Sequence, residues 1–152
     1  PIITENEFFN MFFDCDLKSI RGCNIILDFL KSNNVPMAIA TMSEISNVEF
    51  YIKHFNLYRW FKKGCIVYSD GSIPGKPAPD IFLIAAKRLN LLPERCVVVE
   101  DAISGIEAAK NANIGMIYAI TSLEPSSFYK NISGIHKIIN DISEIFFMLF
   151  TH

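Results

Sequence analysis

The stretch Cys96-Val97-Val98-Val99-Glu100-Asp101-Ala102-Ile103-Ser104-Gly105 decides the fold. Its three consecutive valines favour a β-strand, because β-branched side chains pack well on a pleated surface. A continuous apolar run of this kind is typical of a strand buried on both faces. Two acids end the run, and a helical pattern begins directly after them. The stretch therefore indicates a parallel sheet that helices cover on both sides.

The same alternation of strands and helices extends outward from this stretch in both directions. The apolar pattern predicts helices over residues 23–31, 43–54, 80–89, 102–113 and 141–150, the second of them capped by Ser43. It predicts strands over residues 36–41, 64–69, 96–100, 115–120 and 137–140. Strands connected through helices are joined by right-handed crossovers. We therefore predict an α/β fold, a three-layer Rossmann-like sandwich built on a parallel sheet.

Composition and charge exclude several classes of protein. The chain of 152 residues is 51% hydrophobic and 20% charged, which indicates a globular domain rather than a disordered one. The net charge is −2, and no Lys/Arg cluster is present, so neither nucleic acid nor an anionic membrane is favoured as a partner. No apolar run approaches the roughly 18 residues of a membrane helix, and the start lacks the basic region of a signal peptide. These observations favour a cytoplasmic setting.

The four cysteines do not follow the spacing of a metal site. They are Cys15, Cys23, Cys65 and Cys96, and the last two fall in predicted buried strands. We expect reduced thiols in the core rather than a disulfide framework, which is typical of smaller secreted chains.

Two polar side chains lie at places where a parallel sheet presents its ligand-binding edge. Thr41 ends a predicted strand, where its hydroxyl and the N–H groups of the next helix could bind a phosphate. Lys76 lies in a loop stiffened by glycine and prolines, so its ammonium could neutralise a phosphoryl oxygen. Taken singly, each has a simpler explanation. Thr41 could be a turn residue, and Lys76 a solvated loop lysine.

Glu100 and Asp101 form the third polar feature, directly after the valine run. Two acids at the end of a buried strand are costly unless a cation is present, and oxygen ligands suit Mg²⁺. Either acid could instead cap the following helix. Thr41, Lys76 and this acid pair are all predicted to lie on one edge of the sheet, because ligands gather at the carboxyl ends of parallel strands.

Three segments resemble the second, third and fourth motifs of the haloacid dehalogenase superfamily, in the branch that contains β-phosphoglucomutase and small phosphatases. The segments are Ile39-Ala40-Thr41, Gly75-Lys76-Pro77-Ala78-Pro79-Asp80-Ile81-Phe82 and Val99-Glu100-Asp101-Ala102-Ile103-Ser104-Gly105-Ile106-Glu107-Ala108-Ala109. The resemblance implies an aspartate nucleophile that forms an aspartyl-phosphate, with Mg²⁺ offsetting charge.

The resemblance also implies a role for each matching residue. Thr41 binds phosphate, and Lys76 stabilises the charge of the nucleophile and the phosphoryl group; both count as catalytic. Asp101 is a metal ligand. Glu100 either binds the metal itself or supports a residue that binds it. Gly105 lets its helix approach the site closely.

The first motif of the family, an apolar strand that ends in Asp-x-Asp-x-Thr/Val and carries the nucleophile, has one candidate here. Met11-Phe12-Phe13 is followed by Asp14, Cys15 and Asp16, but Leu17 and Lys18 depart from the pattern. The residues between Asp14 and Thr41 are also too few to hold the helical cap of this branch. We therefore interpret residues 1–20 as the remnant of a cap and its linker, and residues 21–152 as the core domain.

This interpretation has a physical consequence for the sheet. The first-motif strand lies in the middle of such a sheet, so its absence would leave unpaired backbone groups on both neighbouring strands. We expect a replacement to fill the position: residues 8–13, a partner chain, or the missing N-terminal segment.

The predicted function is that of a Mg²⁺-dependent phosphatase or phosphomutase acting on a small phosphorylated metabolite, a sugar or nucleotide phosphate. The chain alone is expected to be inactive, because its nucleophile belongs to the full-length protein. One alternative is a binding module that keeps the phosphate and Mg²⁺ site without the nucleophile. A receiver-like phospho-acceptor domain fits Gly75-Lys76-Pro77 and Glu100-Asp101 poorly.

Overall fold

The computed structural model describes residues 10–14, 23–122 and 124–146, and for 10–14 it describes the backbone alone. Its strands are β1 (Asn10–Asp14), β2 (Met37–Thr41), β3 (Ile66–Tyr68), β4 (Cys96–Glu100), β5 (Met116–Ile120) and β6 (Lys137–Ile139). Its α-helices are α1 (Cys23–Ser32), α2 (Ile45–His54), α3 (Asp80–Arg88), α4 (Ile103–Asn111) and α5 (Ser126–Tyr129). None of these helices is both long and apolar enough to cross a membrane.

The six strands form one sheet in the order β3-β2-β1-β4-β5-β6, and every neighbouring pair is parallel. Side chains alternate between two apolar clusters: Val97 and Val99 belong to one, and Val98 belongs to the other. The first cluster includes the buried faces of α1 and α2, and the second includes those of α3 and α4. The predicted three-layer α/β sandwich is confirmed.

The position of β1 corrects the prediction for residues 10–14. They were assigned to the cap remnant and linker, but β1 lies in the middle of the sheet, pairing with β2 on one side and β4 on the other. The apolar run Met11-Phe12-Phe13 suits a position between two buried strands. Of the expected replacements, the chain's own residues therefore fill the central position. The other residues of the 1–20 segment lie outside the described part.

Two helix boundaries also differ from the prediction. Helix α2 begins at Ile45 with Glu44 as its N-cap, and no side chain caps it, so the assignment of Ser43 as the cap was wrong. The helix predicted over residues 141–150 is a 3-10 turn at Ile142–Ile145, where Asp141 and Glu144 form a capping box. Residues 147–150 of that prediction are among those that the structure does not describe.

Three of the cysteines are buried free thiols, namely Cys23, Cys65 and Cys96. Burial raises the pKa of the Cys23 thiol to about 11. It also raises the pKa of the Cys96 thiol to about 12, with a smaller contribution from the Glu94 charge. Such thiols stay protonated and unreactive at neutral pH. The expected reduced core thiols are confirmed for these three, although Cys65 lies in a 3-10 turn (Lys63–Cys65) rather than in a strand.

Candidate active site

The carboxyl ends of β2 and β4 bring the predicted residues to one edge of the sheet. Thr41 ends β2 and Glu100 ends β4, with only β1 between these strands. Strands in a sheet are about 4.8 Å apart, so the two ends are separated by about 10 Å. Asp14 ends β1, and its Cα pairs with that of Glu100. Thr41, Glu100 and the neighbouring Asp101 therefore share the edge where ligands bind in parallel sheets.

Lys76 reaches this edge through a buried ion pair. Its Nζ lies 3.1 Å from Oε2 of Glu100, and the two side chains are only 6% and 1% exposed. The ring of Phe82 lies below the ammonium, 4.8 Å from Nζ to the ring centroid, in a cation–π contact. The amide of Asn111 at the end of α4 donates to the carbonyl of Pro77, 2.9 Å away, and so holds the loop. The Lys76 ammonium is therefore fixed beside Glu100 rather than solvated.

Gly105 makes room for the Glu100 carboxylate. A Cβ atom built on Gly105 would lie 1.9 Å from Oε1 of Glu100 and 2.1 Å from its Cδ. Real Cβ atoms do not approach other atoms so closely, so only glycine allows α4 and the Glu100 side chain to lie this close together. The expected close approach of the helix at Gly105 is confirmed.

Replacing Gly105 with alanine is expected to destabilise the folded chain by about 1–3 kcal/mol. The added methyl group must displace the buried Glu100 carboxylate from Lys76, which outweighs the better helix propensity of alanine, about 1 kcal/mol. Urea unfolding of Gly105→Ala and of the wild type measures the difference.

The matched control for this prediction is Gly64→Ala. A Cβ at Gly64 meets nothing within 4 Å. The control should stay within about 0.5 kcal/mol of the wild type. Equal stability of the Gly105→Ala variant and the wild type would contradict the steric account.

Asp101 is nearly buried, with 9% of its surface exposed. Its Oδ2 accepts a hydrogen bond of 2.7 Å from the hydroxyl of Ser122. Its backbone carbonyl accepts another, also 2.7 Å, from the hydroxyl of Tyr129. Within the described residues Asp101 has no lysine or arginine partner, whereas Glu100 is paired with Lys76. Of the two acids, Asp101 is therefore the one without a cationic side chain beside it in the part of the chain that the structure describes.

A magnesium ion fits these residues as an incomplete site. Mg²⁺ usually binds through one or two carboxylates together with water and phosphate oxygens. The described side chains contain no group of three or more metal-ligating residues, so Asp101 and Glu100 alone do not make a full cage. A further carboxylate at the carboxyl end of the central strand, the position that β1 occupies here, would complete a set of oxygen ligands of the type that Mg²⁺ prefers.

Thr41 lies in a tight turn before α2. Its Oγ1 accepts a hydrogen bond of 3.2 Å from the Ser43 N–H and donates one of 3.1 Å to the Ser43 hydroxyl. The N–H groups of Ile45 and Ser46 in the first turn of α2 make no hydrogen bond to any described residue. N–H groups without an intrahelical partner at the start of a helix favour an anion, so this geometry is compatible with phosphate binding at Thr41, which stays a prediction.

Three residues of the site were not identified as functional from the sequence. Phe82 was part of a quoted motif, and an aromatic residue near a lysine gives no signal before the fold is known. Ser122 and Tyr129 lie beyond the three motifs, in a segment without a recognisable pattern. Only the tertiary structure places them against Asp101.

Comparison with known proteins identifies the family of this chain. A family model described as haloacid dehalogenase-like hydrolase matches residues 17–113. The chain belongs to this family. A phosphorylated carbohydrates phosphatase of Thermotoga maritima is 38% identical over 104 residues, which are 68% of this chain and 47% of that protein. A β-phosphoglucomutase of Mycobacterium bovis is 27% identical over 113 residues, 72% of this chain and 43% of that protein.

A solved structure shows the same relationship in three dimensions. The crystal structure of a haloacid dehalogenase hydrolase of family IA, variant 3, from Entamoeba histolytica superposes with a TM-score of 0.79 at 35% identity. The match covers 82% of this chain and 56% of that one. The chain spans from 33% to 49% of the length of the first curated relatives it matches. These hydrolases include both phosphatases and a phosphomutase, which places the chain in the branch indicated by its motifs.

Proposed function

We propose that this chain supplies the phosphate- and metal-binding part of a phosphatase or phosphomutase that acts on a small phosphorylated metabolite in the cytoplasm. The observation that carries the proposal is the buried Lys76–Glu100 ion pair next to Asp101 at the carboxyl end of β4. Burying an ion pair costs desolvation free energy, and a stable fold does not need one. A lysine held this rigidly at the ligand-binding edge suits the stabilisation of developing charge.

Each residue has a distinct task in the proposed reaction. The Thr41 hydroxyl and the first N–H groups of α2 bind the phosphate oxygens. The Lys76 ammonium stabilises negative charge on the phosphoryl group as it moves to an aspartate nucleophile, and Glu100 holds that ammonium in place. The resulting aspartyl-phosphate is then discharged to water or to a second substrate.

Asp101 is the proposed magnesium ligand, with Glu100 in a supporting position. When bound, Mg²⁺ would reduce the negative charge that a nucleophile must approach. Asp101 suits this task because its carboxylate is nearly buried and has no cationic partner in the described structure.

The proposed nucleophile is an aspartate of the full-length protein, outside these 152 residues. Leu17 and Lys18 depart from the first motif, and the family model matches only from residue 17 onward. The chain also covers about half or less of the first relatives it matches. The proposal requires the first-motif strand of the longer protein to take the central sheet position that Asn10–Asp14 occupy here.

A second candidate assigns the nucleophile to Asp14 and the general acid/base to Asp16. The observation that favours it is the register of β1, which places the Cα of Asp14 directly beside that of Glu100. The protein would then be a nearly capless phosphatase. Asp16 lies outside the described residues.

The test of the proposed function is an assay of the longer protein, with the residues that precede Pro1. We expect Mg²⁺-dependent turnover of p-nitrophenyl phosphate, and of one or more members of a panel of sugar and nucleotide phosphates. Product analysis with β-glucose 1-phosphate separates the two reactions, since a phosphatase releases inorganic phosphate and a mutase yields glucose 6-phosphate.

Asp101→Asn should lower kcat/KM in this assay by at least about a hundredfold, because it removes the proposed metal ligand. Glu107→Gln is the matched control, because Glu107 is an exposed acid on α4, the helix that follows Asp101. Full activity of Asp101→Asn would refute the assignment. Mg²⁺ and phosphate binding without turnover would favour the alternative of a non-catalytic binding module.

A further inference from the structure

We propose that Ser122 is a positioning residue that orients the Asp101 carboxylate and thereby sets the Mg²⁺ affinity of the site. The inference rests on the proposed function of Asp101 as the metal ligand and adds a residue that none of the family motifs includes. It follows from two hydrogen bonds to Asp101, one of which fixes its backbone while the other orients its carboxylate.

The first hydrogen bond fixes the backbone of Asp101. Tyr129 of α5 is 1% exposed, and its hydroxyl donates to the Asp101 carbonyl over 2.7 Å. The phenol ring packs in the same apolar cluster as Val98 and Ile106, which flank the acid pair along the chain. A rigid aromatic side chain therefore anchors the point where β4 passes into the loop before α4.

The second hydrogen bond fixes the side chain. With its backbone anchored, Asp101 retains rotation about its side-chain bonds, and this rotation decides where its two oxygens point. The Ser122 hydroxyl donates to Oδ2 over 2.7 Å, while Oδ1 has no hydrogen-bond partner among the described residues. Ser122 thus selects one orientation of the carboxylate and leaves one oxygen available for a cation.

Carboxylates that bind metals are commonly oriented by hydrogen bonds of this type, and loss of the donor typically weakens metal binding 10- to 100-fold. Ser122 is exposed, so removal of its hydroxyl leaves the buried core unchanged. Its substitution therefore separates the orientation of Asp101 from the stability of the fold.

The experiment is a Mg²⁺ titration of the full 152-residue chain followed by the amide NMR signals of residues 101–105, which reports weak binding without any need for turnover. We expect Ser122→Ala to weaken Mg²⁺ binding about tenfold. Ser122→Thr keeps the hydroxyl and should bind as the wild type does. Ser127→Ala removes the hydroxyl of an exposed serine of α5 and is the control for a general effect of substitution.

The outcomes distinguish this inference from the proposed function. Wild-type affinity in Ser122→Ala, or equal weakening in Ser122→Thr, overturns the role of Ser122 and leaves Asp101 as the ligand. No Mg²⁺-dependent shift in the wild type overturns the role of Ser122 in this chain, and unchanged affinity in Asp101→Asn refutes the metal assignment itself and the inference with it. Weak binding in Ser122→Ala, with rescue by threonine and loss in Asp101→Asn, supports both.

Discussion

Replacing Lys76 with methionine is expected to destabilise the folded chain by about 3–5 kcal/mol, because it leaves the Glu100 carboxylate buried without its cation. Glu100 is 1% exposed, and it cannot reach water without moving α4 or the loop that holds Lys76. A loss of this size is a large part of the 5–15 kcal/mol that stabilises a typical domain. Guanidinium unfolding of Lys76→Met and of the wild type measures it.

A second substitution separates the structural task of Lys76 from its proposed chemical task. Lys76→Met combined with Glu100→Gln removes both charges, and a buried ion pair replaced by neutral side chains often recovers most of the lost stability. The double substitution does not restore the catalytic contribution of the Lys76 ammonium, because the positive charge is still absent. In the longer protein we expect kcat to stay at least about a hundredfold below that of the wild type in both variants.

Lys87→Met is the control for the loss of a lysine as such. Lys87 is exposed on α3 and should change the free energy of unfolding by less than about 0.5 kcal/mol. Wild-type stability of the Lys76→Met variant would show that the ion pair is not maintained in solution. Recovery of activity in the double variant would show that Lys76 acts only through the fold.

The sequence predicts the parts of this site that depend on local pattern. The valine run fixes β4 at residues 96–100, as observed, because few other structures accommodate three consecutive β-branched residues before two acids. The expected close approach at Gly105 is likewise confirmed by the position of Glu100. These features are encoded by neighbouring residues, so a single chain is enough to show them.

Features that depend on contacts between distant segments were not predictable in the same way. Ser122 and Asp101 are separated by a helix and a strand, and a lone serine after a strand has no pattern of its own. The ion pair between Lys76 and Glu100 also joins segments far apart in the chain. The sequence placed both residues at one edge of the sheet without showing that they pair.

The segment that forms the central strand was difficult to predict from the sequence for a different reason. Residues 10–14 lack the full first motif, yet a gap between β2 and β4 would leave backbone N–H and C=O groups unpaired on both strands. Any apolar segment of sufficient length within reach gains the hydrogen bonds of both neighbours. The identity of the strand in this position is therefore weakly specified by sequence, whereas the need for a strand is strongly specified by the fold.

The origin of the central strand also determines the activity expected of the 152-residue chain. We expect the 152 residues alone not to hydrolyse p-nitrophenyl phosphate or β-glucose 1-phosphate above background. Phosphoryl transfer in this family needs a carboxylate in line with the phosphorus. Neither the Lys76 ammonium nor the Asp101 carboxylate can take that role, and the proposed function assigns it to an aspartate of the longer protein rather than to Asp14. Charge stabilisation without a nucleophile leaves water to attack unaided, so the covalent route is closed. The longer protein, assayed under the same conditions, is the positive control.

Asp14→Asn decides between the two positions of the nucleophile. If the nucleophile lies outside this chain, the substitution leaves the activity of the longer protein within about twofold of the wild type, since the first-motif strand would then take the sheet position that β1 occupies here. Its stability should also change little, because asparagine and aspartate have nearly the same shape. If instead the 152-residue chain turns over substrate and Asp14→Asn abolishes that turnover, Asp14 is the nucleophile. The register that places its Cα beside Glu100 would then reflect a complete catalytic site.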